Sequence, residues 1–346
     1  MPDLKVGLIG PGAIGHTHAR AIAEIPELRL AAVAGGTGED AAALAGGDGA
    51  QWFATAEAMI DNADLDIVVI ATPSGAHYAP AAQAIATGRH VLVEKPLCVD
   101  WEEAARLVVQ GERAGLACGV VSQRRLEPQH VYIHDALRAG RLGRPRLIEA
   151  DVHWWRSPEY YREKPWRAEI SHGGGSLFNQ GVHSLDLMLW LFGPVVRVQG
   201  LATTLGHRLP VEDTTAAILT FASGAIGTLV TTTATPPGHP AGLRMFTDRG
   251  AFTVEHATVV RWDFADVPAP GASSGIASGA ANPGDIGIAG HVEQWQDFIA
   301  AIHERRPPAV SFREGFEAVR VASAIYRSSE DGRAVAISEL PVGGEG

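Results

Sequence analysis

The sequence predicts an α/β protein: a doubly wound parallel sheet in the first third, then a region of mostly antiparallel strands. Three observations carry that prediction. Short strands of the fully buried type alternate strictly with helices up to Ser122. From Arg146 onward the strands change to a period-two alternation of apolar and polar residues. A glycine-rich turn, Gly10-Pro11-Gly12-Ala13-Ile14-Gly15, joins the first strand to the first helix.

Each element follows from its own residues. Leu4–Gly10 is an apolar, β-branched run that suits a buried strand, and Ala13–Ile25 follows with helical spacing, stopping before Pro26. Leu28–Ala34 is the second strand and Glu39–Ala45 the second helix. The strand Asp66–Ala71 ends at Thr72-Pro73-Ser74, and the helix Tyr78–Thr87 closes at Gly88. The strand His90–Val93 ends at Glu94-Lys95-Pro96, Asp100 caps a helix to Ala114, and Ala117–Ser122 completes the set. Pro128–Ala139 reads as a helix. Leu147–Trp155, Val195–Thr203, Thr214–Phe221, Ala225–Thr232, Leu243–Thr247, Ala251–Glu255 and Thr258–Trp262 read as strands with one covered face. A single amphipathic helix is expected over Phe178–Leu191, a long mobile loop over Val267–Gly290, and two closing helices over Val292–Glu304 and Arg313–Ser328. The expected domains are 1–122 and 123–346.

Composition narrows the function. A formal net charge of -11 supplies no positive field to steer nucleic acid. Cys98 and Cys118 are the only cysteines and have no paired spacing, so neither a disulfide framework nor a zinc site is expected. The histidines show no metal-ligand spacing. No apolar run reaches membrane-spanning length and the first residues lack a signal-peptide core, so a cytoplasmic protein is expected.

In a doubly wound sheet, ligands bind beyond the carboxyl ends of the strands. Gly10–Gly15, Thr72-Pro73-Ser74, Glu94-Lys95-Pro96 and Gln123-Arg124-Arg125 all fall on that edge. In a dinucleotide turn, Gly10 permits the bend, Gly12 lets a pyrophosphate approach the backbone, and Gly15 lets helix and strand pack closely. The N–H groups of Ala13, Ile14 and Gly15 then face the phosphates. The second strand ends Ala34-Gly35-Gly36-Thr37, with neither the acid that grips an NAD ribose nor an arginine for a 2′-phosphate. Gly35 and Thr37 are cofactor candidates, and the choice between NAD and NADP stays open.

These residues resemble the Gfo/Idh/MocA oxidoreductase family, named for glucose-fructose oxidoreductase and inositol dehydrogenase. The resemblance is carried by Gly10-x-Gly12-x-x-Gly15-x-x-His18, Ala71-Thr72-Pro73 with His77, Glu94-Lys95-Pro96, and the run from Gly173 through Asn179 and His183 to Asp186. It spans nearly the whole chain. It implies an N-terminal Rossmann domain and a C-terminal α+β domain on a large, mostly antiparallel open sheet. That sheet is implied to pair copies into a homodimer or homotetramer. It also implies cofactor contacts at Ala71, Thr72, Pro73, His77, Glu94, Lys95, Gln123, Trp166 and Arg167.

Oxidising a secondary alcohol moves a hydride to the nicotinamide, and the protein must take the proton and steady the developing alkoxide. The resemblance assigns this work to Lys95, beside Pro96 with its expected cis bond, and to His183 as general base. Asn179 lies four residues before His183, one turn away on a helix. The family's usual residue there is aspartate; asparagine hydrogen-bonds but cannot raise the pKa of His183 by charge. Asp186 either backs up His183 or pairs with a basic group. Arg124, Arg156, Tyr161, Asn179 and His183, with Lys95, are the expected substrate contacts. The aromatic and basic run His153-Trp154-Trp155-Arg156, Tyr160-Tyr161-Arg162 and Trp166-Arg167 suits a polyhydroxylated ring. His18 is expected to pack or to lie near phosphate, and His291 to start a late helix at the surface or over the site. The expected activity is an NAD(P)-dependent dehydrogenase of a sugar, anhydrosugar or cyclitol. The alternatives are a ketosugar or nucleotide-sugar reductase and a non-catalytic dinucleotide-binding protein.

Overall fold

The computed structural model describes residues 3–45, 49–271 and 287–342. The chain separates into two compact units. The first takes Met1–Gln123 and Ile288–Phe316, with Val342–Gly346; the second takes Arg124–Gly287 and Glu317–Pro341. Ile288–Phe316 therefore returns to the first unit, which differs from a single break after residue 122.

The first unit is a six-stranded parallel sheet: β1 (Leu4–Ile9), β2 (Leu28–Ala34), β3 (Gln51–Phe53), β4 (Ile67–Ile70), β5 (His90–Val93) and β6 (Cys118–Val120). Its order is β3-β2-β1-β4-β5-β6, the doubly wound dinucleotide-binding arrangement. The strands read as unbroken apolar runs because helices cover both faces: Val6, Leu8, Val33, Ile67, Val69 and Leu92 are all fully buried. Helices α1 (Ala13–Ala23), α2 (Gly38–Ala45), α4 (Tyr78–Ala86) and α5 (Trp101–Ala114) match expectation within two residues. Asp100 caps α5 by accepting from the Glu103 N–H at 2.9 Å. β3 and α3 (Ala56–Asn62) were not expected; three residues and two turns are too short for a periodic signal. From the returning segment, α9 (Ala289–Glu304) buries Trp295, Phe298 and Ile299 in the core of β1, β4 and α1. Its Gln294 accepts from the Ser122 N–H at 2.8 Å and donates to the Val120 carbonyl, tying α9 to the end of β6.

The second unit is an eight-stranded sheet: β7 (Pro145–His153), β8 (Val195–Thr203), β9 (Thr214–Phe221), β10 (Ile226–Thr232), β11 (Gly242–Thr247), β12 (Ala251–Glu255), β13 (Thr258–Trp262) and β14 (Val335–Ala336). Its order is β13-β12-β11-β7-β10-β9-β8-β14. Only β7 and β10 pair in parallel; the other pairs are antiparallel. Three further helices are α6 (Pro128–Arg138), α7 (Pro158–Glu163) and α8 (Val182–Phe192). The expected single helix over Phe178–Leu191 is instead a π turn, Leu177–Gly181, leading into α8. The last helix, α10, spans Phe312–Asp331. The expected mobile loop falls mainly on residues 272–286, outside the described residues, and its final residues Ala289 and Gly290 already belong to α9. Among the described residues, no helix is long and apolar enough to cross a membrane.

Candidate active site

The three glycines of the first turn meet three different surroundings. Gly10 sits at φ +98, and a Cβ there would stand 2.7 Å from the Ala71 carbonyl oxygen. A Cβ on Gly15 would stand 2.2 Å from the Gly10 carbonyl oxygen. A Cβ on Gly12 would meet nothing within 4 Å. Gly10 and Gly15 thus close the fold, and Gly12 leaves backbone open to a ligand. Helix α1 has Gly12 as its N-cap, with no side-chain cap and no acidic residue in its first turn. Thr55 caps α3 and Asp100 caps α5. The N–H groups at the start of α1 and its positive dipole end are thus left for an anion.

At the end of β2, Gly35 accepts a hydrogen bond from the half-exposed Trp52 indole at 3.2 Å. The Thr37 N–H and hydroxyl both go to Asp40 Oδ2, at 2.7 and 2.9 Å. The Thr37 N–H, then its hydroxyl, holds the Asp40 carboxyl below its ordinary pKa. A carboxylate therefore does stand at this turn, folded back from the first turn of α2. At the end of β6, Gln123 buries its Oε1 without a donor. An open backbone at Gly12 and an orphaned amide oxygen at Gln123 fit a nicotinamide dinucleotide.

Lys95 follows β5, is half-buried, and precedes a cis Lys95–Pro96 bond, as expected. Burial lowers its pKa, and the Glu94 charge opposes that shift. Glu94 is itself buried. Its Oε1 lies 3.1 Å from His18 Nε2 and 3.5 Å from His291 Nε2, and its Oε2 accepts the Lys95 N–H at 3.1 Å. His77 is fully buried and spans the carbonyls of Pro96 (2.9 Å) and Thr72 (3.0 Å). A neutral ring carries one N–H, so it donates to one of these two carbonyls, the nearer being that of Pro96. That full burial, with both ring nitrogens turned to backbone carbonyls, corrects the expectation of a direct cofactor contact. His291 is likewise buried rather than at the surface.

In the second unit the π turn places Asn179 so that its amide donates to the Tyr160 hydroxyl at 3.3 Å; Gln180 donates to the same oxygen at 3.2 Å. π turns break helical register and recur at functional sites. His183 follows, half-exposed, in the first turn of α8. Arg167 lies over the Tyr160 ring at 3.8 Å and donates to the Tyr160 carbonyl; Trp166 is its half-buried neighbour. Glu212 anchors this segment by accepting from the Ser176 and Leu177 N–H groups and the Tyr326 hydroxyl, at 2.8, 3.0 and 2.6 Å. A Cβ on Gly175, at φ +94, would stand 2.6 Å from that carboxylate.

Several expected substrate contacts are placed elsewhere. Tyr161 is buried with its hydroxyl on Thr233 at 2.8 Å, and burial pushes its pKa up to about 12. Tyr160, not Tyr161, presents its hydroxyl to Asn179. Arg156 is buried between the Trp154 and Tyr160 rings, at 4.8 and 5.3 Å. Arg124 is buried and donates to His256 Nδ1 at 2.8 Å. Asp186 takes two bonds from buried Arg125, at 2.8 and 2.6 Å, so it pairs with a basic group. Reading the sequence did not single out Glu212, Trp52 or Trp295, which carry no motif of their own.

Fold and site together define an oxidoreductase built on a dinucleotide-binding domain. The comparisons identify it further: the chain belongs to the Gfo/Idh/MocA family. Residues 4–122 match the oxidoreductase family's NAD-binding Rossmann fold, 130–253 its C-terminal domain, and 287–337 its C-terminal alpha/beta domain. The rhizopine catabolism protein MocA of Rhizobium meliloti is 32% identical over 254 residues, covering 72% of this chain and 78% of that protein. An inositol 2-dehydrogenase of Rhizobium meliloti (strain 1021) is 27% identical over 97% of this chain and 99% of its own. The WlbA dehydrogenase of Bordetella pertussis, solved with NADH and UDP-GlcNAcA, superposes with a TM-score of 0.86 at 30% identity, covering 97% of this chain and 98% of that one.

Proposed function

We propose that the protein is an NAD-linked dehydrogenase of a secondary alcohol on a small polyhydroxylated molecule: a sugar, anhydrosugar or cyclitol. The observation that carries this reading is Lys95, half-buried at the carboxyl edge of the same sheet whose Gly10–Gly15 turn is open to a dinucleotide. Gly12, Ala13 and Ile14 would hold the pyrophosphate by backbone N–H groups, and Gln123 would offer its orphaned Oε1 to the nicotinamide end. When bound, the nicotinamide supplies the hydride acceptor. Lys95 steadies the alkoxide as a cation, and His183 takes the hydroxyl proton. Asn179 orients the substrate through hydrogen bonds without adding charge. Asp40 disfavours a 2′-phosphate at the end of β2, so NAD is preferred over NADP.

The outward face of the second sheet supports assembly into a homodimer or homotetramer. Leu147, Leu201, Ile218 and Ile226 share that face by strand register and are all exposed. Free, buried Cys98 and Cys118 suit a cytoplasmic enzyme.

A panel of inositols, sugars and anhydrosugars, scored by formation of reduced nicotinamide, tests the reading; turnover of at least one is expected. The likeness to the WlbA complex favours a second reading, a nucleotide-sugar substrate. Turnover confined to the nucleotide-sugar arm of the panel would select it. Tight NADH binding with no turnover in either arm would overturn both.

A further inference from the structure

We propose that His18, His77, His291 and Trp295 are positioning residues that lock Glu94 as a carboxylate and hold Lys95 in place for the reaction. The inference rests on the reading that Lys95 is the reacting ammonium. Three segments far apart in the sequence meet at one tripeptide. His18 comes from α1, His77 from the turn before α4, and His291 and Trp295 from α9 in the returning segment. All four side chains are at most 2% exposed.

The donor pattern fixes the chemistry. The Trp295 indole N–H donates to His18 Nδ1 at 3.1 Å. That nitrogen must then be unprotonated, so the neutral ring carries its proton on Nε2 and donates it to Glu94 Oε1. The two rings meet edge to face, with centroids 5.9 Å apart, which keeps this geometry. His18, Glu94 and His291 are close enough together to suggest a metal site. A metal on His18 Nε2 would require the proton to sit on Nδ1, where the Trp295 N–H already points. The triad is therefore a hydrogen-bond clamp. His291 approaches the same carboxylate oxygen through Nε2, while its Nδ1 is buried without a partner. At 3.1 Å against 3.5 Å, His18 is the nearer of the two donors.

The consequence falls on Lys95. Burial alone would raise the Glu94 pKa; the His18 and His291 N–H groups outweigh it and hold the carboxyl well below its ordinary value. The retained negative charge offsets the loss of proton affinity that burial imposes on Lys95. Among the described residues, the other titratable groups around the carboxylate are the three histidines. Burial keeps His18 and His77 below their ordinary pKa, so they serve near neutrality as uncharged dipoles. Glu94 also holds the Lys95 N–H, and His77 holds the Pro96 carbonyl, so the lysine's backbone is tied on both sides.

The test is the pH profile of kcat/KM in the full-length enzyme, with NADH affinity measured alongside. Removing the Glu94 charge lowers the Lys95 pKa whichever protonation state reacts, so the limb that Lys95 controls moves to lower pH. Glu94→Gln and His18→Leu are expected to move it down by about one to three pH units, a range typical of losing a neighbouring opposite charge. Both should lower kcat while the NADH dissociation constant changes by less than about threefold. His18→Gln keeps a donor at the Nε2 position and an acceptor for Trp295, and is expected to bring the limb back toward the native position. A limb unmoved in Glu94→Gln and His18→Leu, in an enzyme that Lys95→Ala inactivates, overturns the clamp and leaves the Lys95 reading standing. An active Lys95→Ala enzyme overturns the Lys95 reading and the clamp's purpose with it. Should His18→Leu not fold, nitrogen-15 NMR of His18 decides in the native protein. The Nε2–H tautomer is expected there, with loss of that preference in Trp295→Phe; the Nδ1–H tautomer in the native protein overturns the proposal.

Discussion

Asp186, paired with Arg125, shows how a charge can look catalytic in sequence and be structural in space. Both are nearly inaccessible, and two parallel hydrogen bonds join them in the second unit. Removing one partner of such a pair strands the other charge in a low dielectric. Asp186→Ala is therefore expected to cost about 3–5 kcal/mol in denaturant unfolding; a loss below 1 kcal/mol would contradict the buried-pair reading. At this scale the sequence was informative where a residue belongs to a motif. Lys95 and His183 stand on the elements expected for them. It was least informative about the direction of a side chain. Tyr160 and Tyr161 are adjacent, and only the backbone of α7 decides which one reaches Asn179 and which packs on Thr233. Glu94 was legible as a residue type, but its partners His18 and His291 come from distant chain, which no local pattern encodes; Asp40 is held by Thr37, three residues before it.

Among the elements, the strand-turn-helix unit at β1 and α1 separates folding from binding within one motif. Gly12→Val places its side chain in open space and is expected to leave Tm within about 2 °C while weakening NADH binding at least about tenfold. Gly15→Ala forces a carbon against the Gly10 carbonyl and is expected to destabilise the fold by about 1–3 kcal/mol. Equal effects of the two on Tm would contradict the division of labour. The long elements, whose apolar periodicity spans several turns or a full buried strand, were all legible. The π turn at Leu177–Gly181 was not. Its apolar residues continue the helical pattern of α8, and the register break depends on Glu212, thirty-odd residues away, capturing the Ser176 and Leu177 N–H groups. β3 and α3 escaped for want of length.

For the molecule as a whole, burial of neutral histidines in the first unit links stability to pH. His18, His77 and His90 all have pKa values lowered from 6.5, chiefly by burial. Below that value the unfolded chain binds protons that the folded chain refuses, so stability is full above about pH 6.5 and falls as the pH drops through it. Glu94 adds nothing in that window, because its folded pKa lies well below 4.5. The unfolding free energy is expected to fall by about 1 kcal/mol or more per pH unit below about pH 6; a flat or rising profile would contradict it. Assembly is tested separately by Ile218→Lys, which puts a charge on the exposed apolar sheet face. If the proposed homo-oligomer forms through this face, sedimentation should show a lower mass than for the native protein, and an unchanged mass would remove that face from the interface. The two-part architecture was legible from the change of strand pattern near Arg146. The return of α9 to the first unit was not, since an amphipathic helix does not declare which sheet it covers. The central claim is that Lys95 serves turnover rather than cofactor binding, and Lys95→Ala tests it most directly. With the substrate found by the panel, kcat is expected to fall by about 10²–10⁴-fold while the NADH dissociation constant stays within about threefold; native kcat, or a loss explained wholly by failure to bind NADH, would contradict it.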